Sequence, residues 1–379
     1  MEYQQPLLYA SPDRSVILLD IPTSIAGSSP LRLLSIEPLT APHILPEPKD
    51  PTFVFNQELL DIHNPLRETI VAALDKIRKE HGQDWCLERK TIDTHEPFLP
   101  FMLRDFKSNL GLLQSPSEEP LDIPEYEPGT SFDITDIYQS IIRNPSHHYH
   151  TLTITITGVG IHNFIIPPRS CFLLAPVQSS IDIWSKYATS VGLFNFILLD
   201  PPWPNRSAER CKAAYDTLPN HKDLLLLPLE SSLRENGVVG VWVTNKPKWR
   251  KFVFQRLFPK WGLEYAGEWI WLKVTKSGEP IFSLDSVMRK PYEILLFGRR
   301  HPPAKQLSVD NKWRRGNSGE RFPSPNVEAG SSPQPCVSRI PQKVIVAVPD
   351  LHSRKPCLKG EAPIGPPILY YTQYSQQNF

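Results

Sequence analysis

Cysteine is scarce in this chain, and its placement excludes two kinds of scaffold. The five residues, Cys86, Cys171, Cys211, Cys336 and Cys357, are scattered. None stands at the two-residue spacing of a zinc ribbon, and an odd, dispersed set does not read as a disulfide framework. Such usage suits a reducing compartment, cytosol or nucleus. Long apolar runs are also missing: no stretch of about 18 apolar residues occurs, so no membrane-spanning helix is expected. The start, MEYQQPLLYASPDRS, lacks the basic segment and apolar core of a secretory leader. Nor is there an excess of either charge. Lys plus Arg is 41 and Asp plus Glu is 40, which excludes a globally basic nucleic-acid coat and an acidic tail protein but leaves room for a local basic face. His147, His148 and His150 have no cysteine or carboxylate cluster to complete a metal site, so they read as loop histidines. No metal is expected.

What is present is core material and proline. Hydrophobic residues make up 40%, with 17 Phe, 12 Tyr and 9 Trp, enough for one large α/β domain or two small ones in 379 residues. The 41 prolines are roughly double ordinary usage and gather in segments that cannot be regular elements: 41–52 (APHILPEPKDPT), 114–130 (QSPSEEPLDIPEYEPGT) and 302–340. Before the second break, Ser15–Asp20 (SVILLD) reads as a strand. A helix is predicted from Asn64 as cap and Pro65 at its first position, with Leu66, Ile70, Leu74 and Ile77 on one apolar face and His81-Gly82 closing it. Residues 1–130 therefore read as an accessory region with Pro-rich linkers.

From about 150 the texture changes. Thr151–Thr157 (TLTITIT) alternates like a strand. Further strands are expected at Phe172–Leu174, Phe194–Leu199, Val238–Val243, Tyr265–Lys273, Tyr292–Gly298 and Val344–Val348, with helices near 221–235 and 246–258. Apolar, β-branched strands separated by helices argue for an α/β fold, a parallel sheet covered on both faces. The domain is placed at 150–360, with 302–340 as an insertion and 361–379 as a tail.

Chemistry concentrates at Asp200-Pro201-Pro202-Trp203, directly after the apolar run FNFILL. A carboxylate at the carboxyl end of a parallel strand sits where doubly wound sheets bind ligands. The two prolines stiffen the backbone and carry no N–H, so the polar backbone groups they offer are carbonyl acceptors. A carboxylate beside a fixed carbonyl forms an acceptor pair for an NH2 group, and the adjacent indole offers a flat face to a base. That set suits methylation of an exocyclic amine. The lone pair of an aminopurine nitrogen is delocalised into the ring; holding both hydrogens draws the nitrogen toward tetrahedral geometry and turns the lone pair toward an electrophilic methyl group. The bland alternative is a strand end followed by a Pro-rich turn with a surface Trp.

In the context ILLDPPWPNRS, these residues resemble the DPPW family of adenine N6-methyltransferases, whose best-known members modify messenger RNA. The stretches VWVTNKPKW (241–249), EWIWLKVTKSGEPIFSLDS (268–286), RKPYEILLFGRR (289–300) and VPDLHSRKP (348–356) are similar to its methyltransferase-like protein four branch. The resemblance spans roughly 160–356. It implies an S-adenosylmethionine-dependent, Rossmann-like fold with permuted motif order, the catalytic strand preceding the cofactor strand. It further implies that Asp200, Pro201, Pro202 and Trp203 hold the target adenine, and that Lys290 lies near the methionine end of the cofactor. Leu174, Ala175 and Pro176 would line the cofactor adenine, with Asp200 also on the cofactor side. Asn205 and Arg206 would cover the base, and Tyr292 would join the substrate side. The expected substrate is nucleic acid, RNA such as small nuclear RNA or DNA, and the expected compartment is the nucleus, with the cytoplasm as alternative.

Two departures stand out. The run Phe172-Leu173-Leu174-Ala175-Pro176 lacks the carboxylate that this branch carries after its FLL strand. After HSRKP, the chain continues as CLKGEAPIGPPILYYTQYSQQNF, without the ELF-type motif and Gly-Asn pair that follow in the family. A cofactor strand is therefore expected to be missing unless ILYYTQY replaces it. This is the ground for a second reading, a catalytically silent nucleic-acid-binding or partner subunit.

Weaker signals surround the motif. KPKWRKFVFQRLFPK (246–260) holds six cations, Lys246, Lys248, Arg250, Lys251, Arg256 and Lys260, and no acid. It reads either as a face that tracks a phosphate backbone or as a solvated amphipathic helix. Arg299, Arg300, His301 and the KWRRG run (312–316) favour the former. Trp271 and Lys273 share one face of their strand and are candidates for the site, whereas Trp269 is assigned to the core. His352 and Lys355 read as helix-start residues.

Overall fold

The computed structural model describes residues 6–26, 38–45, 57–88, 120–123, 131–156, 160–204, 220–286, 289–300, 343–348 and 369–371. Their organising element is a mixed sheet of seven strands. It contains β1 (Leu7–Ala10), β2 (Val16–Asp20), β9 (Phe194–Leu199), β10 (Leu233–Val243), β11 (Leu263–Lys273), β12 (Tyr292–Arg300) and β13 (Lys343–Val348), in the spatial order β1-β2-β13-β11-β12-β10-β9. Neighbours β2, β13 and β11 are parallel, as are β10 and β9. β12 runs antiparallel to both β11 and β10, and β1 is an antiparallel edge. The expected all-parallel sheet is thus corrected: the β11–β12 connection returns as a hairpin-like pair, in which neighbouring strands must oppose. The sheet also continues past the N-terminal boundary, because Ser15–Asp20 supplies β2. Val16 and Leu18 of β2 are buried, and the carboxylate of buried Asp20 accepts from Thr23 N–H and Leu87 N–H.

The helix Gln57–Glu80 packs beside this sheet. Leu66, Ile70, Leu74 and Ile77 are buried as the periodicity requires, joined by Ala73 and His63. The predicted start at Asn64-Pro65 is displaced: Pro65 lies inside the helix. Proline there removes one backbone hydrogen bond, and burial of His63 and Leu66 on either side of it holds the helix through that defect. The end is as expected, with Gly82 in the left-handed region at φ +60°. Past it, buried Trp85 lies flat over Gly278, where a Cβ would come within 2.3 Å of the indole.

Two smaller sheets flank the large one. β3 (Leu121–Asp122), β5 (Ile141–Asn144), β8 (Ser170–Leu173) and β14 (Leu369–Tyr371) form one, with β14 parallel to β8. The tail segment ILYY therefore does contribute a strand, against β8. The other comprises β4 (Phe132–Asp133), β6 (His150–Ile156) and β7 (Gly160–Ile166). The TLTITIT run belongs here, paired with β7, whose sequence GIHNFII was not expected to be a strand. Ile134, Ile137, Ile142, Leu152, Ile154 and Ile166 form a separate core beneath these strands. His147 and His150 are held by Arg169 and Ser146, and no metal-holding cluster of side chains occurs among the described residues.

The helix predicted near 221–235 is also corrected. A 3-10 turn (His221–Leu226) and a four-residue helix (Leu229–Ser232) occupy that stretch, and β10 begins at Leu233; Pro228 interrupts any continuous helix. The basic segment is helical from Pro247 to Lys260, widened to a π-turn over Val253–Leu257 just before Pro259, whose missing N–H cannot serve an α-helical ladder. No helix among the described residues is long and apolar enough to cross a membrane.

Candidate active site

The carboxyl ends of β9, β10 and β11 and the start of antiparallel β12 meet at one edge of the large sheet. Register fixes the alignment: Leu199 lies opposite Val241, Val243 opposite Ile294, and Leu272 opposite Tyr292. Asp200, Asn245, Tyr292 and Lys273 therefore fall along a single edge. Asp200 is exposed, whereas Pro201, Pro202 and Trp203 are buried. The Pro201 carbonyl accepts from Trp203 N–H at 2.8 Å, which uses one of its two lone pairs.

Trp203 differs from its expected role. Its exposure is 3%, its ring stacks on Trp249 at 4.7 Å, and its Nε1–H donates to the Trp242 carbonyl at 2.7 Å. The indole is a pin that fastens the turn after β9 to β10, and its face is covered. Trp249 and Phe252 also contact the ring of His221 edge-on, and burial lowers the His221 pKa from its ordinary value. The motif's aromatic residue is thus spent on rigidity of the turn that carries Asp200 and Pro201.

The segment leading into β12 is a tethered loop. Lys290 Nζ donates to the Leu284 carbonyl at 2.8 Å, and burial lowers its pKa. Tyr292 is buried; its Oη lies 2.8 Å from Nδ1 of His63, and its carbonyl accepts from Asn245 Nδ2 at 2.8 Å. Asn245 Oδ1 is buried with no hydrogen-bond partner. Trp271 contacts Trp242 edge-on at 6.1 Å, and Lys273 Nζ pairs with Glu293 at 2.9 Å. Lys273 is accordingly a neutralised cation at the site's edge. Of the other expected residues, Leu174 packs half-buried against the small core. Ala175 is buried, and exposed Pro176 opens the helix Val177–Val191. Asn205, Arg206, the KWRRG run, His352 and Lys355 lie outside the described residues. Sequence reasoning missed His63 and Asn245. The only available signal for His63 was a polar residue in register with an apolar stripe, and for Asn245 its place just after β10.

The basic helix is less cationic than its sequence. Arg250 pairs with buried Glu268 at 2.6 Å and Lys251 with Glu58 at 2.7 Å. Lys248 lies 4.2 Å above the Trp249 ring, and Lys246 Nζ reaches the Pro204 carbonyl at 3.5 Å, at the border of a hydrogen bond. Lys248, Arg256 and Lys260 remain exposed.

The other side of β9 contrasts with all this. Among the described residues β9 has one strand neighbour, β10, and Phe196 and Leu198 are 38% and 50% exposed. The strand was expected to be buried on both faces; only Phe194 and Ile197 are.

Comparison with known proteins places this edge within a known family. The MT-A70 family model matches residues 194–319, from the first residue of β9 past the end of β12. An N6-methyladenosine RNA methyltransferase, MTA1, of Cryphonectria parasitica is 30% identical over 376 residues, covering 93% of this chain and 82% of its own. The chain belongs to the MT-A70 family. Other relatives of this MT-A70 protein include the human N(6)-adenine-specific methyltransferase METTL4, 31% identical over 319 residues, 80% of this chain and 60% of its own. A DNA N6-methyl methyltransferase of Caenorhabditis elegans is 32% identical over 151 residues, 40% of each chain.

Proposed function

We propose that this protein transfers a methyl group from S-adenosylmethionine to N6 of adenine in nucleic acid, with Asp200 and the Pro201 carbonyl holding the target amine. Its family and its relatives' names support an enzyme that methylates nucleic-acid adenine. The observation that carries the residue assignment is the DPPW turn: an exposed carboxylate next to a carbonyl held in place by a buried, doubly anchored indole. The residues present fit a cationic donor and an amine acceptor. This edge offers the Asp200 carboxylate, the second lone pair of the Pro201 carbonyl and the unpaired Asn245 Oδ1, all acceptors. Bound S-adenosylmethionine would supply an electrophilic methyl group on a positively charged sulfur. The chain's own part is positioning. Asp200 and Pro201 hold the two amine hydrogens, which frees the nitrogen lone pair from the ring. Lys290, tethered to Leu284, marks the opposite wall.

RNA is the substrate we favour, because a relative matched over 93% of this chain carries that name. A single strand presents its bases without the unpairing that a duplex requires. Exposed Lys248, Arg256 and Lys260 offer the backbone contacts. The motif order, catalytic strand before cofactor strand, is part of the same proposal, as is action in the nucleus and the division into an accessory region before 130 and a transferase domain from 150, with β1 and β2 of the former extending the latter's sheet.

The test is Asp200→Ala. We expect transfer to an adenine-containing RNA to fall at least about a thousandfold, the scale of removing a positioned electrostatic partner, while the unfolding midpoint stays put. Transfer at the parent rate would sink the mechanism. The silent-subunit reading draws on the departures from the family pattern, the lack of a carboxylate at Ala175-Pro176 and of an ELF-type motif and Gly-Asn pair after HSRKP. Calorimetric titration of the whole chain with S-adenosylmethionine decides it: micromolar binding excludes a silent subunit, and no binding supports one.

A further inference from the structure

The helix Gln57–Glu80 touches the candidate site through one polar residue that packing alone does not call for. His63 is 3% exposed and lies on the same face as Leu66, Ile70, Ala73, Leu74 and Ile77. An apolar residue there would bury area without a polar group to satisfy, whereas an imidazole must find partners. It finds them in the substrate-side loop. Nδ1 meets Tyr292 Oη at 2.8 Å with the two rings parallel at 5.9 Å, and the Leu284 backbone hydrogen-bonds the ring. Leu284 is also where Lys290 is tethered. One turn along the helix, Arg67 grips Asp285 with two hydrogen bonds, 2.7 and 3.1 Å. The loop is therefore held at Leu284, Asp285, Lys290 and Tyr292, and two residues four apart on a single helix reach three of those points.

Protonation is consistent with this arrangement. Burial and then the Lys290 charge lower the His63 pKa, so the ring is neutral. Burial pushes the Tyr292 hydroxyl up, so it stays an O–H donor. Tyr292 then donates to Nδ1, which leaves the ring proton on Nε2.

We propose that this N-terminal helix is a wall of the transfer site, with His63 and Arg67 as positioning residues that hold Lys290 and Tyr292 in their working places. The chain of contacts continues from Tyr292 to Asn245 at the end of β10, so the helix is linked to the strand next to the one that carries Asp200. The inference rests on the reading that Lys290 serves methyl transfer, and the experiment separates the two.

His63→Phe keeps the ring and its stacking but removes both hydrogen bonds. His63→Gln restores an acceptor and a donor on a shorter reach. Arg78→Met is the control, since Arg78 is on the same helix but hydrogen-bonds the Gly278 carbonyl away from the loop. The unmodified full chain and each variant are assayed for kcat and KM, thermal midpoint, and titration of Lys290 followed by NMR of 13C-dimethylated lysines, assigned by Lys290→Arg. For His63→Phe we expect kcat to fall about ten- to a hundredfold, the scale of a displacement of about 1 Å at a reacting centre, with KM for RNA little changed. The Lys290 titration should move up toward the ordinary lysine value. His63→Gln should recover most of both, and Arg78→Met should change neither. A His63→Phe protein that loses thermal stability but keeps kcat and the Lys290 titration overturns the proposal. Undiminished transfer by Lys290→Met would instead sink the role given to Lys290 while leaving the NMR result to judge the tether. If the parent chain transfers no methyl group, that titration alone decides.

Discussion

The two sides of the site are built in opposite ways. On the β9 side, the DPPW turn is anchored by the Trp203 indole, its strand has a single neighbour among the described residues, and Phe196 and Leu198 stand half in solvent. On the β11–β12 side, both strands have neighbours on each edge, and the charged groups are paired or tethered: Lys273 with Glu293, Lys290 on Leu284, Arg250 with Glu268. The proposed reaction needs a fixed acceptor within reach of an amine, and the strand end supplies an exposed carboxylate at Asp200 beside the stiff Pro201-Pro202 backbone. Between the end of β11 and the start of β12 runs a loop; a loop keeps its shape only if side chains hold it, and here His63 and Arg67 of the helix Gln57–Glu80 do so.

The strongest way to break the closed side is at Arg250. Glu268 is 3% exposed in its side chain, and Arg250 is its cation at 2.6 Å. Removing one partner of a buried pair leaves the other charge uncompensated. Arg250→Met should therefore cost about 3–5 kcal/mol, read as a drop in the urea midpoint, and Glu268→Met in the same background should recover part of it. No loss beyond that of a surface substitution would mean that water reaches Glu268.

Gly278 comes next. It sits at φ +79° beneath Trp85, and a Cβ would meet the indole at 2.3 Å. Gly278→Ala combines a left-handed backbone penalty with overpacking and should cost about 2–4 kcal/mol. Trp85→Ala in the same chain would relieve the overlap, so a double mutant less stable than the sum of the two singles would contradict the packing.

Titration sharpens the comparison with a smaller effect. Burial lowers the pKa of both His63 and His221. For a histidine with a depressed folded value, the unfolded chain binds protons first as pH falls. Stability is therefore full above the ordinary histidine range near 6.5 and declines as pH falls through it toward the folded value. His63→Phe should flatten that decline, measured as the urea midpoint between pH 8 and 5. An unchanged slope would place the titrating group elsewhere.

How legible was this in the sequence? The strand-then-DPPW arrangement was, because an apolar run ending in Asp-Pro-Pro needs only local chemistry to read. The apolar stripe of the N-terminal helix was also legible, since Leu66, Ile70, Leu74 and Ile77 repeat at helical spacing. What failed were readings that depend on partners far away in the chain. Pro65 reads as a helix start because its local cost inside a helix is large, yet burial of the surrounding turn outweighs it. Trp203 was assigned to a base because an indole after a turn reads as exposed; the Trp249 ring that covers it is 46 positions later. His63 carries only the weak signal of a polar residue in register with an apolar stripe, since its partners Tyr292 and Leu284 are more than 200 residues away. The antiparallel insertion of β12 between β10 and β11 likewise follows from tertiary pairing that alternation within one strand cannot express.

The smallest expected effect is on the open side and tests the comparison most directly. Ile197 and Leu198 are adjacent in β9, one 5% and the other 50% exposed, because successive side chains point to opposite faces. Ile197→Ala should cost about 2–4 kcal/mol through its cavity. Leu198→Ala should cost no more than about 0.5 kcal/mol, the scale of a surface change, even though its Cδ1 lies near the position a Gly240 Cβ would occupy, at 3.1 Å. If Leu198→Ala instead costs as much as Ile197→Ala, something covers this face of β9 in solution, and the two walls of the site are more alike than their contacts indicate. If it costs nothing, the face that carries Asp200 is open to solvent, and rigidity at the DPPW turn comes from Trp203, Trp249 and β10 alone.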